Sequence, residues 1–386
     1  MNPSKHEDPR AFKELINRKA ATLGIDHVHW LETTREDPGT GQAVRALDLG
    51  ASVVIAAGGD GTVRAVAAGM AGSGVRMGII PVGTGNVLAG NLCIPEDPAQ
   101  ALAVALGANH RPVDLAWVRV EDIAQESELP AEGALRRAAR LARRSGESRQ
   151  SAQAPDPLNE PRSDEYASLV IAGMGYDGNT MADTDPALKK RIGWIAYVWA
   201  GLGAMGVPRM SARLTLRSPV AAAPDPLGVG DQISGETIDE AKAPFARPDS
   251  LRAPADEITR VEARSVMFAN AGEMKMLVLA PDASLSDGLI DVIAVDAQAG
   301  LLGWADVTWK MLGQLIGLRP LNLPVSTGKV AFRQSRGASV SADEAQVCQV
   351  DGDPIGLAHT MHVRMQADAL DVAVPLERTW MELLPG

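Results

Sequence analysis

Cysteine is almost missing from this chain. Cys93 and Cys348 are the only two in 386 residues, and they lie far apart. No zinc-ligand spacing exists, and so few thiols point to a reducing compartment. The six histidines form no H-E-x-x-H pattern. His27 and His29 share one face of an expected strand, but no third ligand is near, so a partly exposed strand face is the better reading. Basic charge is short as well: 37 Lys and Arg stand against 48 Asp and Glu, leaving a formal net charge of -11. The whole molecule therefore has no electrostatic footprint for nucleic acid. Long apolar runs are missing too. The longest, Ile192 to Val207, is interrupted by glycine and falls short of the about 20 residues that span a membrane. No apolar segment follows the charges of "MNPSKHEDPR", so no secretory signal is expected there. The P-loop pattern G-x-x-x-x-G-K-[ST] does not occur.

What the chain does have is enough apolar residue, 46%, for a large core and more readily two domains than one. Asp8-Pro9 reads as an N-cap with proline at the first helical position, and Gly24 closes that helix. His27 to Leu31 reads as a strand, Gln42 to Leu49 as a helix, Ser52 to Ala57 as a strand, Val63 to Met70 as a helix and Met77 to Pro81 as a strand. This alternation predicts a parallel α/β domain over residues 1–110. Such domains usually open on a strand, and Met1-Asn2-Pro3 reads as the tail of one, so the expected start lies further upstream.

Beyond Arg111 strand-like runs dominate: Val113 to Val120, Ser168 to Ala172, Ala212 to Leu216, Ile258 to Ala269, Leu289 to Val295 and Met361 to Val374. Helical stretches at 186–205 and 301–315 interrupt them. A mostly β second domain is expected over 111–372, with a tail at 373–386. Two polar stretches, 121–165 and 221–256, read as disordered insertions, because their composition buries little apolar surface. Within the first, "ALRRAARLARRSGESR", Ala134 to Arg149, is a basic segment with alanines on one helical face.

The most informative stretch is "AAGGDGTVR", Ala56 to Arg64. An apolar strand ends in glycines and opens into a helix. Backbone N–H groups at a helix start, with no side chain in the way, make a ready anion site. Pro81 to Asn86, "PVGTGN", repeats the arrangement after the next strand. Each loop alone is equally a tight βα turn. Two of matching design predict a polyphosphate held from two sides. "GMGYDG" at 173–178 also matches G-x-G-x-x-G, but no acid follows about 20 residues on, so it is not read as a dinucleotide fingerprint. Asp351-Gly352-Asp353 alone reads as a hairpin turn.

These motifs together resemble the diacylglycerol kinase catalytic domain family, which includes sphingosine and ceramide kinases. The resemblance rests on "NPSK" at the start, Thr34 (with Thr33 competing) in "ETTREDPG", "GGDGT", "PVGTGN", the glycine loop and long helix from Gly173, "LAPDASLSDGLIDV" and "QVDGDPIG". It implies an α/β nucleotide domain followed by a β-sandwich domain with inserted helices. It also implies transfer of the ATP γ-phosphate to a lipid hydroxyl with Mg²⁺, most simply from ATP to diacylglycerol. On that resemblance Asn2, Thr34, Gly59, Asp60, Gly61, Thr62, Gly83, Thr84 and Asn86 surround the nucleotide. Asp353 is the catalytic carboxylate. Asp287, with the carbonyls of Ser284 and Leu289, holds a structural Mg²⁺. The implied setting is cytoplasmic, peripheral to the inner membrane face, with a lipid partner and a homodimer as one oligomeric option. An NAD kinase-like enzyme and a silent nucleotide- or lipid-binding protein remain as alternatives. Three departures stand out: Asp353 replaces a glutamate, Arg64-Ala65 replace a polar pair, and Asn270 to Lys275 carry one glycine where the family has several.

Overall fold

The computed structural model describes residues 1–5, 8–25, 27–123, 162, 164–175, 209–220, 256–271, 273–274, 277–278, 283–297 and 328–376. The chain divides into two units. One is Met1–Leu115 with the chain from Ala367 onward; the other is Ala116–Gln366. The helical stretches expected at 186–205 and 301–315, and the basic segment 134–149, lie outside the described residues.

The first unit is an α/β layer. Helix α1, Pro9–Thr22, is started by Asp8, whose carboxylate accepts the N–H groups of Arg10 and Ala11, and it buries Phe12, Ile16 and Ala20 at helical spacing. Gly24, at φ 79°, follows its end, the left-handed geometry that favours glycine. Residues 27–31 form no strand. Among the described residues the backbone of 27–33 pairs with other backbone only at Met1: the Met1 amino group donates to the Leu31 carbonyl, and Thr33 N–H donates back to the Met1 carbonyl. A strand needs a run of paired neighbours, and this segment has one. Helix α2, Thr40–Asp48, is followed by β1, Val53–Gly58, α3, Asp60–Met70, and β2, Arg76–Pro81. Short helices α4, Val87–Asn91, and α5, Pro98–Ala105, complete the series. Strands β1 and β2 pair in parallel from Val53↔Arg76 to Gly58↔Pro81, as the alternation of elements predicts.

In the second unit β3, His110–Ile123, enters from the first, followed by β4, Tyr166–Ser168, β5, Ile171–Met174, β6, Met210–Val220, β7, Glu257–Ala263, and β8, Ser265–Ala269. A small hairpin, β9, Glu273–Met274, and β10, Leu277–Val278, precedes β11, Ile290–Ala297, β12, Gly328–Val350, and β13, Asp353–Ala373. The expected single run from Ile258 to Ala269 is broken at Arg264, whose N–H donates to the Val295 carbonyl. Its halves have different neighbours: β7 pairs with β6, and β8 with β11 and β5. Strand β12 was not apparent in the sequence, because its stretch "QSRGASVSADEAQ" is polar on alternate positions and carries a glycine. Its first residues pair with β11 and its last three with β5. Strands β5, β8, β11 and β12 therefore close into a ring. Alternate residues fill the core: Leu214 and Leu216 from β6, Ala338 and Val340 from β12, Met361 and Val363 from β13. Cys348 lies in this core, where burial pushes its thiol up to about 12, so it is not a nucleophile near neutral pH.

Two expected boundaries shift. Residues 121–123 continue β3, and Glu165 is buried rather than part of a disordered insertion. Burial alone would raise the Glu165 carboxyl, but two bonds from the Arg364 guanidinium hold it below the usual range. The end of β13 belongs with the first unit: Asp371 and Val372 pair in parallel with Arg76 and Met77.

Helices α2 and α3 pack at backbone contact. A Cβ on Gly69 would lie 2.6 Å from the Thr40 carbonyl oxygen and 2.8 Å from the Ala43 Cβ. Gly69→Ala is expected to destabilise the protein by about 1–3 kcal/mol through overpacking, read as a lower midpoint in denaturant unfolding.

Candidate functional site

The two glycine loops of the first unit are joined by one side chain. Asp60 is the first residue of α3. Its Oδ2 accepts the Asn86 N–H at 2.9 Å and its Oδ1 the Val87 N–H at 2.7 Å. Those are the opening N–H groups of α4, so Asp60 caps a helix from the neighbouring loop. Asn86 itself sits at φ 47° and ψ 45°, a left-handed position that asparagine tolerates. Its side chain closes the second loop on itself, with Oδ1 accepting from Gly83 N–H and Nδ2 donating to the Gly83 carbonyl.

The glycines do different work. A Cβ on Gly83 would lie 2.6 Å from the Gly59 Cα, so the two loops touch backbone to backbone. A Cβ on Gly58 would collide with Thr62 at 2.4 Å. At Gly61, by contrast, nothing among the described residues lies within 4 Å of a Cβ. Protein packing requires glycine at 58 and 83 but not at 61. The Thr62 hydroxyl is buried and accepts from Asn2 Nδ2 at 3.3 Å, and Asn2 N–H donates to the Ala57 carbonyl at the end of β1. Asn2, Gly59, Asp60, Gly61, Thr62, Gly83 and Asn86 are thus one cluster. Thr84 is exposed on the second loop. Thr34 is exposed and bonded to Asp37, while Thr33 is buried and bonded to Met1. Ala65, one of the departures, packs at the α2–α3 contact, where its carbonyl accepts from the Thr40 hydroxyl.

In the second unit Asp351 and Gly352 have φ 46° and 84°, and Val350 pairs with Asp353. This is a two-residue hairpin of the I′ kind, and it presents Asp353 exposed at the start of β13. Asp351 was missed as a site residue in the sequence. It is buried, and its carboxylate accepts from the Ser168 hydroxyl and from the N–H groups of Leu169, Val170 and Ile171. The D-G turn signal was legible; the neighbours that its aspartate serves were not. Ladder register brings Val350, Ala172, Phe268 and Val292 into one row. The Asp351 turn, Asn270 and the Ser284–Leu289 loop therefore sit at the same end of the ring. Asp287 accepts the Leu289 N–H, and burial pushes its carboxyl up against that bond. Among the described residues no group of three or more His, Cys, Asp or Glu could hold a metal. One carboxylate with backbone carbonyls is nonetheless an all-oxygen donor set, which suits a hard cation that keeps most of its waters.

Asp60→Ala is expected to leave two N–H groups at the start of α4 without their acceptor. At about 1–3 kcal/mol for each unsatisfied buried group, the variant should melt lower than the parent, and the loops should lose their common geometry. An unchanged melting temperature would show that the capping bonds carry no weight. Asp351→Ala should cost more, because it strands three N–H groups and a hydroxyl. Its unfolding midpoint should fall below that of Asp353→Ala, whose exposed position predicts little loss.

Residues 2–118 match the family model for the diacylglycerol kinase catalytic domain. A relative from Klebsiella pneumoniae named "Probable lipid kinase YegS-like" is 44% identical over 84 residues, 20% of this chain and 28% of that protein. An uncharacterised protein of Synechocystis sp. is 24% identical over 333 residues, 86% of this chain and 56% of that protein. The chain thus spans about half or less of the length of these curated relatives. A solved diacylglycerol kinase structure from Bacillus anthracis str. Sterne superposes with a TM-score of 0.58 at 14% identity, covering 96% of this chain and 93% of that one. That likeness speaks for the fold. The match over residues 2–118 takes in both glycine loops that Asp60 clamps together, so that stretch of the chain is similar to the diacylglycerol kinase catalytic domain.

Proposed function

We propose that this protein is an ATP-dependent lipid kinase that transfers the γ-phosphate of ATP to a lipid hydroxyl, with diacylglycerol as the acceptor. The observation that carries the reading is the open space over Gly61 at the start of α3, beside a second glycine loop held in place by Asp60. A glycine that packing does not require, at a helix start, supports close approach of an anion to the backbone.

In this reading Gly59, Gly61, Thr62, Gly83 and Thr84 receive the phosphates, Asn2 and Thr34 border the nucleotide, and Asn86 keeps the second loop in shape. Asp60 is a positioning residue, since both its oxygens are engaged by backbone N–H groups. Asp353, exposed on its hairpin, accepts the proton of the attacking hydroxyl. Phosphoryl transfer depends on positioning and charge neutralisation more than on covalent chemistry. Asp287, with the carbonyls of Ser284 and Leu289, would hold Mg²⁺ and so tie the loop before β11 in place. Mg²⁺ carried with the nucleotide neutralises phosphate charge.

Purified protein with γ-labelled ATP and a detergent-dispersed lipid panel tests the reading. Label is expected in the organic extract, most of all with diacylglycerol, and is expected to vanish with chelator. Label in NADP instead, or in no lipid, would overturn it. Asp353→Asn should lower kcat by about 10²–10⁴-fold, the usual worth of a positioned base, with the KM for ATP little changed.

A further inference from the structure

One face of the second unit's sheet carries charge that the kinase reading leaves unused. Strand β6 turns Ala212, Leu214 and Leu216 into the core, so Arg213, Thr215 and Arg217 lie on the opposite face. Pairing with β12 sets Arg213 beside Ser341, Thr215 beside Ser339 and Arg217 beside Gly337. Pairing with β13 adds Thr360, His362 and Arg364 in the same rows. The result is a sheet face of short hydroxyl side chains and one glycine, flanked by long arginines.

Three acids of this face are already engaged. Glu121 pairs with Arg119 and, at 3.1 Å, with His362, whose other ring nitrogen lies 2.7 Å from the Ser339 hydroxyl. Glu165 is held by Arg364, and Asp343 lies 3.5 Å from Arg260. Glu262, beside Ser211 on the edge strand, is one row beyond Arg213. Arg213 and Arg217 are exposed and have no ion-pair partner among the described residues. Two unneutralised guanidinium groups over a row of hydroxyls make a complement to phosphate oxygens. They do so on a chain whose net charge is -11, which a negatively charged surface otherwise repels.

We propose that this face docks on the phosphate headgroups of an anionic bilayer through Arg213 and Arg217, with Thr215, Ser339 and Ser341 donating beside them. The proposal rests on the lipid-kinase reading in one respect: a kinase whose acceptor resides in a bilayer has to reach that surface. The occupant is a bilayer rather than a free phosphate because the donors are spread along a strand face, with Arg213 and Arg217 four residues apart, and not gathered about one point.

The test is sedimentation of the full chain with vesicles of neutral lipid alone and with about one third anionic lipid, at low and high salt. Binding is expected only to the anionic vesicles and only at low salt. Arg213→Gln with Arg217→Gln should lower the partition coefficient about 10- to 30-fold, as two basic residues near a charged surface predict. Arg260→Gln, which removes an already paired charge, should change it little. Activity of the double variant on detergent-dispersed lipid should match the parent. Equal vesicle binding by parent and double variant overturns the proposal. So does loss of the detergent activity, which would place the arginines in catalysis. Displacement by millimolar inorganic phosphate at constant ionic strength would make this a free-anion site, and a changed oligomeric state in the double variant would make it a face between copies; either result replaces the bilayer. Failure of the kinase reading shows separately, as no labelled lipid in detergent.

Discussion

The first unit depends on a carboxylate that serves backbone. Asp60 accepts the two N–H groups that open α4, one residue after β1 has ended at Gly58–Gly59. A hydrogen bond to a charged acceptor contributes about 1.5–3 kcal/mol net, and here two converge on one side chain. They draw the second glycine loop against the first until Gly59 and Gly83 meet at backbone distance. No larger residue fits there. The glycines thus have distinct reasons to exist: contact between the loops at 59 and 83, room for Thr62 at 58, and open space at 61.

The second unit uses the same device. Asp351 sits at a hairpin turn and gives its carboxylate to four donors on the segment 168–171. That segment leads into β5, which closes the ring onto β12. Asp353, two residues on, starts β13 from that anchored turn. Asp37 and Asp114 do similar work in the first unit, accepting from Gly39 and Gly41 and from Asp368 N–H. In an acidic chain with few described ion pairs, much of the carboxylate is spent on backbone N–H groups. This is physically sensible, because a buried N–H left alone is costly and a carboxylate is its strongest acceptor.

Much of the α/β unit was legible because its signals are local. Asp8-Pro9, Gly24 and the strand–glycine–helix sequence at 52–70 each act within a few residues, and the structure keeps all of them. The strand expected at 27–31 is absent because extended sequence becomes a strand only beside a partner. Strand β12 was overlooked for the opposite reason: its polar residues are tolerated because one face of the sheet is exposed, and neighbours on both sides hold it. Asp60 was legible as important but not as a clamp, since Asn86 and Val87 lie far along the chain from it.

The sequence by itself determined the order of elements in the first unit, the two glycine loops, the Asp351–Gly352 turn and the family they resemble. Each is a matter of local backbone preference or of residue type at fixed spacing, which short stretches carry alone. The tertiary structure decided which donors each aspartate serves, the closure of β5, β8, β11 and β12 into a ring, and the row of arginines and hydroxyls on the outer sheet face. These arise from register between strands distant in the chain, and register is settled only when side chains of both strands pack on one core.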